Sequence, residues 1–257
     1  MRILFIGDIF GKSGRELAVR MIPELRKAYQ IDFCVVNGEN TTHGRGIGMD
    51  SADELLAAGA DCITMGNHTW GNYEINSIIE DYPIIRPANF AEGLPGRGSI
   101  VLENDKGMKL AVLNLQGRVY MELCDNPFTC AAHEVERLKQ ETPNILIDFH
   151  AEASAEKIAL AYYLQGQVSA VIGTHTHVQT ADEQILEGGT AYLTDVGMTG
   201  PTDGVIGMDR RNVINKFVKC VPVRFEPSKG PATLHGAVID VDEQTGRATE
   251  IIRISGK

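Results

Sequence analysis

No run of about 18 apolar residues occurs anywhere in the 257-residue chain, so a membrane-spanning helix is not expected. Basic residues are scarce: 24 Lys and Arg face 34 Asp and Glu, a formal net charge of −10. That balance argues against non-specific binding of long nucleic acids, which depends on clustered cations. It does not exclude a small phosphate substrate, because bound divalent ions would dominate the local field. The five cysteines form no CxxC pair, and their odd number fits a reducing cytoplasm better than a disulfide scaffold. Cys34 and Cys62 fall inside apolar runs and read as small buried fillers, while Cys124 and Cys130 are loosely spaced in a loop. The first eight residues carry an apolar run too short, and too soon ended by Asp8, for a secretory signal. Low-complexity tracts, linkers and convincing internal repeats are likewise missing, so residues 1–257 read as a single domain.

What is present is an alternation of strand and helix signals. Arg2–Gly7 and Phe33–Val36 are apolar without a period of two, as strands covered on both faces are. Between them Gly11–Gly14 reads as a turn and Arg15–Tyr29 as a helix with Pro23 inside it. Thr41–Met49, with three glycines, reads as a loop, and Ser51 as the cap of a helix ending at Ala58. Asp61–Met65 follows as a strand, Tyr73–Glu80 as a helix and Ile84–Ile85 as a short strand. Ser99–Glu103 and Lys109–Gln116 flank a hairpin turn at Asn104–Gly107. Alternation then resumes, with helices at Ala131–Gln140 and Ala153–Gln165 and strands at Asn144–Phe149 and Ser169–Gly173. A short helix at Arg210–Val218 and a closing hairpin, Gly236–Asp242 with Arg247–Ile254, complete the order. Two stacked mixed sheets with helices outside accommodate it, an α/β fold.

The stretch GTHTHVQTAD, residues 173–182, places His175 and His177 at i and i+2 after an apolar strand. Other strand-like runs also end in residues able to bind metal: Asp8, then Glu39 and Asn40, then Asn67 and His68, then His150. An aspartate after a strand is by itself commonly a turn residue, and Gly-Asn is an ordinary turn dipeptide. The joint pattern is what carries weight, because open α/β sheets build their sites at the carboxyl ends of strands. Imidazole and carboxylate together suit Zn, Fe, Mn or Ni. Glu39 can bridge two ions through its two oxygens. Asp8, His177 and Asn40 would complete one ion, and Asn67, His150 and His175 the other. If the backbone stays extended, residues 175 and 177 face the same side and address neighbouring ions. Two such ions can clamp the attacking and leaving oxygens of a phosphoryl transfer, with a shared, deprotonated water as nucleophile. His68, next to ligand Asn67, is the candidate to stabilise the transition state or protonate the leaving oxygen.

The motifs GDIFG (Gly7–Gly11), NGEN (Asn37–Asn40), GNH (Gly66–His68), the His150 strand end and GTHTH (Gly173–His177) resemble the calcineurin-like metallophosphoesterases in order and spacing. The longer stretches MRILFIGDIFGKSGR, VVNGENTTHGRGIG, TMGNHTW, RPANF and IGTHTHVQTAD resemble the YmdB subfamily of bacterial cyclic-nucleotide phosphodiesterases across nearly the whole chain. The resemblance implies a four-layer αββα sandwich, a centre of two Fe or Mn ions with Zn as a further option, and hydrolysis of 2′,3′- or 3′,5′-cyclic nucleotides. It also implies a homo-oligomer, a dimer or a tetramer. The chain departs from the broad superfamily at Phe10, where a histidine ligand is usual, and at Glu39, where the usual bridge is Asp; Asn40 takes the place of the missing histidine.

Two other classes remain open on the residues: a metal-dependent regulatory protein that binds a nucleotide without turnover, and a phosphomonoesterase or protein phosphatase. Other residues have plain readings beside functional ones. Thr41, Thr42, His43 and Arg45 could contact phosphate or base, or simply be a solvated loop. Trp70 lines a pocket or packs. Thr199–Asp209 could wall the substrate, Arg210 and Arg211 read as a solvated helix start, and His133 and His235 as structural or surface residues.

Overall fold

The computed structural model describes residues 1–257. Strands and helices are numbered in chain order. The first series is β1 (Arg2–Ile6), α1 (Gly11–Tyr29), β2 (Phe33–Asn37), α2 (Met49–Ala57), β3 (Cys62–Thr64), α3 (Ile75–Ile78) and β4 (Ile84–Ile85). The second is β5 (Ser99–Glu103), β6 (Lys109–Gln116), α4 (Pro127–Leu138), β7 (Ile145–His150), α5 (Ser154–Leu164), β8 (Ala170–Thr174), β9 (Gln184–Leu186) and β10 (Thr190–Leu193). The chain closes with β11 (Gly200–Pro201), α6 (Arg210–Lys219), β12 (Ala232–Val241) and β13 (Ala248–Gly256).

These strands form two mixed sheets. In the first, β1 to β4 run parallel in sequence order, and β12 pairs antiparallel with β1 and carries β11 and β13. In the second, β6, β7, β8 and β10 are parallel, edged by antiparallel β5 and β9. Strand alternation sorts the apolar side chains. Ile3, Phe5, Phe33 and Val35 turn toward Leu110, Val112, Leu146 and Ile172 of the other sheet. Leu4, Ile6, Cys34 and Val36 face Leu17, Ile22, Leu55 and Ile75 of the first helical layer. Leu113, Leu115, Ile147 and Phe149 face Val135, Leu138, Leu160 and Leu164 of α4 and α5. Three apolar seams between four layers give an αββα sandwich, and the strands read as continuous apolar runs because both their faces are covered.

Local chemistry moves several element ends away from the expectations. Gly11, at φ 61°, turns the chain straight into α1, so Gly11–Gly14 is the helix's first turn and not a separate loop. The helix continues through Pro23 to Tyr29. Helix α2 starts at Met49 behind Gly48, whose N–H donates to Thr42 Oγ1 at 2.9 Å; Ser51 is buried within the helix and caps nothing. The expected Tyr73–Glu80 helix shrinks to Ile75–Ile78 between turns. Helix α4 begins earlier than expected, because Asn126 accepts from Phe128 N–H at 2.9 Å and Pro127 fits the first helical position. The largest departure is at residues 175–177. They are not extended: His175 has φ 97° and His177 φ 66°.

Candidate metal centre

The carboxyl ends of β1, β2, β3, β7 and β8 meet where the two sheets face each other. Asn37, ending β2, donates to Asp148 Oδ2 of β7 at 3.0 Å and so ties the sheets at this edge. Glu39, 1% exposed, lies at the centre. Its Oε1 is 3.1 Å from His150 Nε2 and accepts from Asn40 Nδ2 at 3.1 Å, and its Oε2 accepts from the His68 backbone N–H at 2.9 Å. Gly66 makes this approach possible, since a Cβ there would collide with both the His150 ring and Glu39 Oε2.

Two donor groups flank Glu39. On one side Asn67 Oδ1 and His175 Nδ1 each lie 3.0 Å from His150 Nε2. On the other, His177 Nε2 lies 3.7 Å from Asp8 Oδ1 and 3.4 Å from Asn40 Nδ2. The seven residues thus lie near one another on either side of Glu39, with left-handed turns at 175 and 177 and not an extended strand. Asn40 turns its NH2 toward Glu39 and His177 and its oxygen toward His68 Nδ1 at 2.8 Å, so it becomes an oxygen donor to an ion only by turning its amide over.

These residues fit a metal. Glu39, His150 and His175 each offer a donor atom, all within 4.8 Å of one another. Separations near 3 Å are the edges of a coordination shell with bonds of about 2.0–2.2 Å. Asp8 Oδ1 is fully buried with no hydrogen-bond partner, an uncompensated acceptor that a cation would satisfy. Phe10 packs edge-on against His177, with ring centroids 5.6 Å apart.

Each histidine is oriented by its second nitrogen. His150 Nδ1 lies 2.8 Å from Thr174 Oγ1, which donates at 2.7 Å to Asp148 Oδ1. The carboxylate only accepts, so the hydroxyl points to it, Nδ1 keeps its proton, and Nε2 is the nitrogen that becomes a lone pair when the imidazole is neutral. Burial pushes the Asp148 carboxyl up to about 6, which leaves it largely ionised at neutral pH. His177 Nδ1 lies 3.0 Å from the Ile206 carbonyl, and His175 Nε2 lies 3.1 Å from Glu152 Oε2. Asp148, Thr174 and Glu152 escaped the reading of the sequence. The spacing offered a signal, since Asp148 stands two residues before His150 on one strand and shares its face.

Without an ion the site partitions protons unequally. Burial disfavours charge on His150, but the carboxylates of Glu39, Asp8 and Asp148 outweigh it and raise its pKa to about 9. Burial and the neighbouring His150 charge lower His175 to about 3. Burial opposes ionisation of Glu39, but His150 and His68 overcome it and hold the group below its ordinary range. His68, at the mouth, is lowered by burial against the pull of Glu39. Its Nε2 has no protein partner, and its side chain is 31% exposed.

The remaining candidates lie outside this cluster. Thr41 Oγ1 donates to the Gly38 carbonyl at 3.0 Å and, like Thr42, braces its own loop. His43 borders a cavity of about 730 Å³ between the start of α1 and residues 224–229, which none of the donors lines. Arg210 pairs with Asp203 in solvent at 2.8 Å, and the five cysteines are free. Of Thr199–Asp209, Ile206 touches the centre through His177.

Known proteins resemble this chain along nearly its whole length. The family profile described as YmdB-like protein matches residues 4–254. The chain is 52% identical over 255 residues to a 2′,3′-cyclic-nucleotide 2′-phosphodiesterase of Bacillus subtilis (strain 168), covering 99% of this chain and 96% of that one. It is 39% identical to a putative phosphatase/phosphodiesterase of Mycoplasma pneumoniae, covering 99% and 93%. Among solved structures it is similar to a hypothetical protein from Thermus thermophilus, with TM-score 0.94, 36% identity and coverage of 100% and 99%. A phosphatase from Mycoplasma pneumoniae gives TM-score 0.92 at 36% identity, covering 99% and 92%.

Proposed function

The chain belongs to the YmdB-like protein family, and we propose that it hydrolyses cyclic nucleotides, the 2′,3′-phosphodiester foremost, at a centre of two metal ions. The observation that carries this reading is the position of Glu39, whose carboxylate lies beside both His150 and Asn40, one from each donor group. Asp8, His177 and Asn40 would hold one ion, Asn67, His150 and His175 the other, with Glu39 shared. Bound there, the ions supply Lewis acidity and lower the pKa of water. The donors are oxygen and imidazole without thiolate, which suits Fe or Mn first and Zn as well.

The chain's own residues do the rest. The two groups orient the phosphodiester against the sheet edge, and the buried floor excludes bulk water. His68 is the proton donor: its Nδ1 is engaged by Asn40, and its unpartnered Nε2 faces the opening, where the leaving oxygen of the ribose departs. Because burial lowers its pKa, the protonated form thins as pH rises toward neutrality, so the acid-dependent step weakens on the alkaline side.

The reading takes with it a homo-oligomer, a dimer or tetramer, in a reducing cytoplasm; the free cysteines support the latter, and no helix is long and apolar enough to cross a membrane. The test is metal analysis of the purified protein together with 2′,3′- and 3′,5′-cyclic nucleotides, bis-p-nitrophenyl phosphate, p-nitrophenyl phosphate and a phosphopeptide. Two metals per chain with diester turnover is expected. Nucleotide binding without turnover would replace the reading by a regulatory one, and preference for monoesters by a phosphatase.

A further inference from the structure

Lys157 is fully buried, and nothing in the proposed chemistry uses it. It projects from α5, and its stem runs past Gly173, where a Cβ would press within 2.9 Å of Lys157 Cδ and collide with the Thr194 carbonyl. Its Nζ donates to the Thr174 carbonyl and to Asp195 Oδ2, both at 2.7 Å. The same Asp195 oxygen accepts from the Thr176 backbone N–H at 3.1 Å and from Thr176 Oγ1 at 2.7 Å, and Oδ1 accepts from Gly197 N–H at 2.9 Å.

The peptide groups on both sides of His175 are therefore held: the carbonyl before it by Lys157, the N–H after it by Asp195. The N–H of His175 itself donates to Asp8 Oδ2 at 3.1 Å. A non-glycine residue at φ 97° is strained and persists only where its surroundings over-determine it. We infer that the buried Lys157–Asp195 pair is a positioning device that holds His175 in this left-handed turn with Nδ1 aimed at His150 and Glu39, and so sets metal retention. The pair touches neither substrate nor ion. The inference rests on the two-metal reading.

The test measures Mn²⁺ affinity and thermal midpoint of the metal-free protein for wild type and three variants. Lys157→Met keeps the stem and removes the cation, which leaves Asp195 buried without its counter-ion, so both stability and affinity fall. Lys157→Met/Asp195→Asn removes both charges, so the midpoint recovers while Mn²⁺ affinity stays 10- to 100-fold below wild type, on the order seen for outer partners of metal ligands. Thr176→Val drops one hydroxyl of the clamp and lowers affinity several-fold with the midpoint near wild type. If the double variant and Thr176→Val both bind Mn²⁺ within twofold of wild type, the pair serves folding alone and the inference is overturned. If wild type itself binds no metal, it is the two-metal reading that fails.

Discussion

Replacing Thr174 by Val isolates the relay behind His150. The two side chains share a shape, but the hydroxyl that bridges His150 Nδ1 at 2.8 Å and Asp148 Oδ1 at 2.7 Å disappears. All three residues are fully buried, so water does not replace it. His150 Nδ1–H loses its only acceptor and carries the desolvation penalty of an unpaired buried donor, about 1–3 kcal/mol. Asp148 loses less, because Thr64 Oγ1 and Asn37 Nδ2 still donate to it. The sum is about 2–4 kcal/mol. For 257 residues the unfolding entropy is about 0.5 kcal/mol/K, so the metal-free protein should melt about 4–8 °C lower. The released imidazole also loses the contact that fixes its tautomer, and metal affinity should drop roughly 10- to 100-fold. Calorimetric melting and Mn²⁺ titration measure both quantities, and Thr174→Ser, which restores the hydroxyl, should recover most of each. An unchanged melting temperature together with unchanged affinity in the valine variant would refute the relay.

Glu39→Ala should empty both ions, since one carboxylate serves both groups; elemental analysis that still finds two metals per chain removes Glu39 from the bridge. His68→Ala should keep its metal yet lose on the order of 10²–10⁴ in kcat on a 2′,3′-cyclic nucleotide, and much less on bis-p-nitrophenyl phosphate, whose leaving group needs little protonation. Equal losses on both substrates would argue against proton donation. In the metal-free protein His150 is raised to about 9 and holds a proton at neutral pH, and a metal must displace it. Affinity for Mn²⁺ should therefore rise about tenfold per unit between about pH 6 and pH 8, with about one proton released per binding event. Titrations in buffers of different ionisation enthalpy measure that proton, and a flat profile contradicts it.

What the sequence made legible follows from burial. Strands β1, β2 and β7 are covered on both faces, so their apolar runs stand out, and the residue that ends each run is automatically at the sheet edge where sites are built. Asp8, Glu39 and His150 could be placed at that edge for that reason. Helix starts were less so, because they turn on single contacts: the Asn126 side chain on Phe128 N–H fixes α4 four residues earlier than periodicity suggests, and the Tyr73–Glu80 pattern supports only one turn. Lys157 was invisible for a different reason. A lysine on an amphipathic helix ordinarily reaches solvent, and only the missing side chain at Gly173 and the acceptors at Thr174 and Asp195 turn it inward.

The histidine pair shows how two residues can reach the expected edge by a geometry other than the expected one. An extended His-x-His would put both rings on one side, as alternation requires. Here both histidines instead adopt positive φ, and their rings diverge to different partners: His175 Nδ1 to His150, His177 Nε2 to Asp8. Extended geometry would need no support beyond the strand's own ladder. A left-handed turn at two β-carbon-bearing residues does need it, because each costs on the order of 1–3 kcal/mol and relaxes unless held. Asp8 supplies part of that support through the His175 N–H. Polar groups that the motifs do not reveal supply the rest: Lys157 on the carbonyl before His175, Asp195 on the N–H after it, and the Ile206 carbonyl on the His177 ring. The strained histidines and their buried polar supports thus form one arrangement.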